Sequence, residues 1–160
     1  MSTKIDNIDR KLLVRLQADA SISMDELAEH VGLSRNACWR RVRNLEEQGV
    51  IKARVALVDP DAVDLELSVF VLIRTSSHEP GWLKQFEAAV AVLPEIVGAH
   101  RMSGELDYVL RVRVAGVKAY DRFYQRLIDQ VPIADISASF VMDDIKDTTQ
   151  LPIAITRTQL

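Results

Sequence analysis

The stretch of this 160-residue chain richest in usable chemistry runs from Ser34 to Gly49, SRNACWRRVRNLEEQG. Guanidinium and carboxamide groups pair bidentately with guanine and adenine edges in a DNA major groove, and here they recur at helical spacing. A 3.6-residue period puts Asn36, Arg40, Arg43 and Glu47 on one side and Cys38, Arg41, Val42 and Leu45 on the packing side, with Trp39 at the edge. Ser34 can cap the first turn, and Gly49 is the residue a helix prefers just past its end. The candidate DNA contacts are Arg35, Asn36, Trp39, Arg40 and Arg43. The earliest of these are placed to meet bases and Arg43 a phosphate. Trp39 has a second reading, packing against the first helix.

A basic helix face is usually just a solvated face, so the elements that would position it decide the matter. Ser23-Met24-Asp25-Glu26 has the form of a capping box, opening a short helix through Leu27, Ala28 and Val31 that ends at Gly32. Farther upstream, Asp6 or Asn7 caps a support helix carrying Ile8, Leu12 and Leu16, with Asp9 suited to its first turn. A short capped helix, a Gly-Leu turn and a second capped helix with a cationic outer face is the layout of a helix-turn-helix. An ordinary helical hairpin would share the apolar pattern but has no need of the arginines.

The net charge of −3 argues against nucleic acid only until its distribution is considered. Residues 1–60 hold 10 basic and 9 acidic residues, residues 61–160 hold 10 and 14, and Arg35 to Arg54 holds six basic residues against two acidic ones. The positive field is thus confined to the arginine-bearing helix and the few residues just after it. The lone Cys38 excludes an internal disulfide and a cysteine-based zinc site, and His30, His78 and His100 are too scattered for a ligand cluster, so no metal or cofactor is expected. The polar start MSTKIDNIDR and the lack of a long apolar run predict a cytoplasmic protein with no membrane span.

After Gly49, the β-branched run Val50 to Val58 reads as a strand or wing that ends at Asp59-Pro60. Lys52 and Arg54 lie on one side of it, either as solvated strand residues or as phosphate contacts. The expected division is a DNA-binding domain over 1–50, a linker strand and boundary over 51–64, and a second domain over 65–160. In that second domain Leu67 to Thr75 is apolar on both alternating faces; a helix runs from Pro80 to Leu93; Ile96 to Met102 and Asp107 to Val114 are strands joined by a turn. Another helix then carries Tyr120, Phe123, Tyr124, Leu127 and Val131 on one face, and Ile136 to Met142 is the last strand. The order β-α-β-β-α-β predicts an α+β, ferredoxin-like unit with helices on one sheet face. The uncovered face predicts at least a homodimer, which suits a reader of two DNA half-sites.

IDRKLL near the start, ELAEHVGLS followed by CWRRVRNLEEQGVI, and SGELDY between two strands together resemble the Lrp/AsnC, or feast/famine, transcriptional regulators. The resemblance spans nearly the whole chain. It implies an N-terminal winged helix-turn-helix, a C-terminal ferredoxin-like domain for effector binding and assembly, and dimers that join into tetramers or octamers. Cys38-Trp39-Arg40-Arg41, FVLIRTSSHEPGW and the tail DTTQLPI are similar to the branch that senses L-cysteine. The resemblance also puts an amino-acid effector at Ser103, Gly104, Glu105, Leu106, Asp107 and Tyr108. Backbone amides around Gly104 can receive a carboxylate and Asp107 an ammonium, or the two can be merely a turn glycine and a turn cap. Thr148 and Thr149 are hydroxyl donors to the ligand or part of an edge strand, and Met102 and Phe140 line the pocket or the core.

Two other functions compete. Ferredoxin-like sheets also carry enzymes, but no paired catalytic constellation is present and His100 and Arg101 have no evident nucleophile or metal partner. An architectural protein that wraps DNA with little sequence preference would use the same basic stripe. The sequence therefore predicts a non-enzymatic regulator that binds double-stranded DNA and responds to a small amino acid, controlling genes of amino-acid metabolism.

Overall fold

The computed structural model describes residues 5–75 and 80–155. Contacts divide them into two compact units, 5–57 with 146–155, and 58–145. His78 and the rest of 76–79 within FVLIRTSSHEPGW lie outside the described residues.

The first unit is three helices, α1 (Asn7–Ala18), α2 (Met24–Val31) and α3 (Arg35–Glu47). Asp6 caps α1 in a full capping box with Asp9, Ser23 caps α2 in another with Glu26, and Ser34 accepts the Ala37 amide at the start of α3. Gly32 ends α2 with φ +68°, a left-handed conformation that costs a glycine little and turns the chain directly into α3. Leu12, Leu27, Ala28, Cys38 and Val42 form the buried centre of the three helices, so Cys38 is a small core residue whose thiol pKa is raised by burial.

Two features of this unit differ from the sequence expectation. The run after Gly49 forms no strand: 52–58 carries no regular structure and no ladder partner among the described residues, and Val55 and Leu57 are exposed. β-branched composition favours a ladder, but a ladder needs a second strand to hydrogen-bond with. The tail also groups with the helices instead of the sheet. The Gln17 side-chain amide donates to Leu151 O (3.3 Å) and accepts from Leu151 N (2.7 Å), and Arg10 Nη1 donates to Ala154 O (3.2 Å). Tail, α1 and 50–57 together line an open groove of about 940 Å³.

The second unit is β1 (Leu67–Arg74), α4 (Pro80–Val92), β2 (Ile96–Arg101), β3 (Tyr108–Val114), α5 (Val117–Gln130) and β4 (Asp135–Phe140), after a short 3-10 turn at Asp61–Val63. The four strands are antiparallel in the order β2-β3-β1-β4, the ferredoxin-like arrangement expected. Val69, Val71 and Ile73 of β1 and Leu110, Val112 and Val114 of β3 face α4 and α5, where Trp82, Phe86, Phe123 and Leu127 complete the core. Phe140 lies on this side, edge-on to Tyr120. The opposite face is mixed and not uniformly apolar: across from Phe70 and Ser68 stand Arg111 and Arg113, and Leu72 faces Val109.

Candidate functional site

The exposed side of α3 carries a set of arginines in different electrostatic situations. Arg43 Nε donates to Glu47 at 2.8 Å, and its guanidinium carbon lies 5.3 Å from the centre of the Trp39 ring. Arg54 donates to Glu46 at 2.8 Å, and Arg35 lies 3.7 Å from Asp25. Exposed pairs of this kind contribute about 0–1 kcal/mol, so a DNA phosphate can displace the carboxylate at little cost. Arg40 is exposed and enters no ion pair among the described residues, which leaves all its donors available for a base edge. Asn36 and Lys52 are likewise exposed.

Trp39 is 48% exposed, with the Arg43 guanidinium of its own helix over its ring. Arg41 is the residue that periodicity placed on the packing side. It does turn toward α1, as an ion pair: Nη1 lies 2.7 Å from Asp6 Oδ2 and 2.8 Å from Asp9 Oδ1. The Asp9 backbone N–H and the Arg41 guanidinium beside it hold the Asp6 carboxyl below its usual range.

In the second unit, Ser103 to Asp107 joins β2 to β3 as a turn. Gly104 has φ +126°, a conformation open to glycine and strained for other residues. Met102 N donates to Asp107 O at 2.8 Å, and Asp107 Oδ2 accepts the Thr75 amide at 2.8 Å. The Asp107 carboxylate thus ties the start of β3 to the end of β1. Arg74 braces the turn from β1: its Nε donates to Glu105 O at 3.0 Å. Sequence reasoning does not single out Arg74; its one local signal is a charge closing an apolar strand.

Ser103, Gly104 and Glu105 are exposed, Leu106 is half-buried, and Tyr108 is buried with its ring 4.6 Å from that of Phe86. Beside the turn, Arg101, Tyr108, Phe86, Glu87 and Val90 line a cleft of about 380 Å³. Ser103 to Tyr108 are thus brought together by one hairpin. Thr148 and Thr149 belong to the other unit and form no edge strand; Thr148 Oγ1 accepts from Gln150 N, and Thr149 lines the groove along α1. Met102 and Phe140 are both partly exposed, Phe140 on the helix-covered side of the sheet.

Two family models cover most of the chain. A winged helix-turn-helix DNA-binding model matches residues 5–52, and the Lrp/AsnC ligand binding domain model matches residues 68–151. Among curated proteins, the DNA-binding transcriptional activator DecR of Escherichia coli (strain K12) is 47% identical over 150 residues, covering 93% of this chain and 99% of that protein. Among solved structures, an AsnC family transcriptional regulator from Agrobacterium tumefaciens is similar with a TM-score of 0.89 and 50% identity, covering 92% of this chain and 96% of that one. A transcriptional regulator from Neisseria meningitidis, solved as an L-methionine complex, is similar with a TM-score of 0.88 and 32% identity, covering 93% and 97% of the two chains. With a cationic helix-turn-helix before a ferredoxin-like ligand-binding domain, the chain belongs to the Lrp/AsnC family of DNA-binding transcriptional regulators and is not an enzyme.

Proposed function

We propose that this regulator works in the cytoplasm as a homodimer or higher homo-oligomer, a tetramer or octamer, whose paired α3 helices read spaced half-sites near genes of amino-acid metabolism. A small amino acid, with L-cysteine the first candidate, sets its DNA affinity. The observation that carries this reading is the Ser103–Asp107 turn. Its backbone is fixed from behind by Arg74 and Asp107, while Ser103, Gly104 and Glu105 are exposed. In this reading the backbone amides around Gly104 receive the effector carboxylate, and Asp107, which also accepts the Thr75 amide, faces its ammonium. Arg35, Asn36, Trp39 and Arg40 meet bases, while Arg43, Lys52 and Arg54 meet phosphates.

Two features support assembly: the sheet face bearing Phe70, Leu72 and Val109, and the exposed apolar residues of 55–58. The effector acts by shifting how copies associate, which changes the spacing of the α3 helices and so the affinity for paired half-sites. A calorimetric titration of the intact protein with L-cysteine and then L-methionine tests the effector site. Saturable binding of at least one, lost in Gly104→Val with the helix content unchanged, is expected; no heat from either contradicts the site. Light scattering that returns the mass of a single chain at working concentration contradicts the assembly.

A further inference from the structure

Most arginines that reach the surface of α3 pair with exposed carboxylates, but Arg41 does not share that environment. Its Nη1 bridges two carboxylates at 2.7 and 2.8 Å; its side chain is 34% exposed, and of the two partners Asp6 is 48% exposed and Asp9 only 14%. These carboxylates also make up the capping box of α1: Asp9 N donates to Asp6 Oδ1 at 2.8 Å and Asp6 N donates to Asp9 Oδ2 at 3.1 Å. One guanidinium thus joins the first turn of the support helix to the middle of the DNA-reading helix.

We infer that Arg41 is a positioning residue for sequence recognition, a bolt that fixes the rotation of α3 about its axis through Asp6 and Asp9 without touching DNA itself. Successive residues on a helix are about 100° apart, so holding Arg41 against α1 fixes the direction in which Arg40 leaves the helix. The apolar contacts of Cys38 and Val42 hold α3 against its neighbours but are non-directional, and they tolerate small rolls of the helix. Two charge-assisted hydrogen bonds from one nitrogen are directional and do not. Geometry at a base edge is more demanding than at a phosphate, since a bidentate pair requires both donors in the base plane. Losing the bolt therefore weakens base readout and spares backbone binding.

The inference rests on α3 being the DNA-reading helix, and the wild type measured alongside tests that premise separately through its own preference for site over random DNA. Arg41→Gln and Asp9→Asn are compared with wild type as full-length proteins by fluorescence anisotropy across a salt series, with thermal unfolding recorded. Asp9→Asn keeps Arg41 and the Asp6 cap, so it carries the test if Arg41→Gln does not fold. Each variant is expected to lose tenfold or more of the site-to-random affinity ratio, with random-DNA affinity and salt slope unchanged, and the double variant to be no worse than either single one. A salt slope reduced by about one, with equal losses on both DNAs, would make Arg41 a phosphate contact and overturn the inference. An unchanged ratio with only a lower melting temperature would overturn it too, leaving a purely structural ion pair.

Discussion

Between Asp6 and Glu47 the helices are fastened at their starts by the Asp6, Ser23 and Ser34 caps and tied across by the Arg41 bridge, over a small core of Leu12, Leu27, Cys38 and Val42. Between Val69 and Val131 the ferredoxin-like unit is fastened through its middle, by two central strands packed on Trp82, Phe86, Phe123 and Leu127. The difference comes from what each must leave exposed. A helix that reads DNA keeps its charged side in water and has little apolar width to spare, so directional polar contacts do part of the holding. A sheet can commit a whole face to burial and still leave its turns and its second face exposed.

The largest expected effect is in the sheet unit. Phe123 is fully buried, and Phe123→Ala should lower stability by about 3–5 kcal/mol through lost burial and the cavity left behind. Urea unfolding measures this, and a loss below about 1 kcal/mol would break the contrast between the units. On the helical side, Arg40→Ala should cost about 1–3 kcal/mol of discrimination between the specific site and random DNA. Lys52→Ala should weaken both about equally and lower the salt slope by about one; identical salt-dependent losses for the two variants would remove the division between base and phosphate contacts. Ser23→Ala, which deletes one cap, should cost about 1 kcal/mol, read out by hydrogen exchange across α2.

Acid should separate the units as well. Asp6, Asp19 and Glu26 have lowered pKa values: Asp6 chiefly through the Asp9 amide, Asp19 and Glu26 through the Ser21 and Ser23 hydroxyls. A carboxylate whose folded pKa is depressed contributes stability that is complete above its unfolded value and is lost as pH falls through the folded one. All three belong to the helical unit. Trp39 sits in one unit and Trp82 in the other, so Trp39→Phe and Trp82→Phe variants report each separately. Acidification from neutrality should change the Trp39 signal before the Trp82 signal; the reverse order would contradict the contrast.

What could be read from the sequence divides along similar lines. The box at Ser23 and Glu26, the cap at Ser34 and the left-handed Gly32 are local features, written within three or four residues, and they were legible. So was the βαββαβ order, because Val69-Val71-Ile73 and Phe123-Leu127-Val131 have clear periods of two and of three to four residues. Illegible features needed a distant partner. Arg41 has the spacing of a packing residue, and only the approach of Asp6 and Asp9 makes it an ion pair. Arg74 meets the Glu105 carbonyl across 31 residues, and the tail finds Gln17 across 134. Val50 to Val58 has the composition of a strand, but composition does not supply its partner.

The most direct test is fluorescence anisotropy of the intact protein on the DNA upstream of its own gene and on random DNA, at fixed salt, with and without L-cysteine. The expected result is a preference for the upstream DNA of roughly 10³-fold or more, changed by cysteine. Equal affinity for both DNAs, with or without the amino acid, would contradict a sequence-reading, effector-controlled regulator and favour an architectural role.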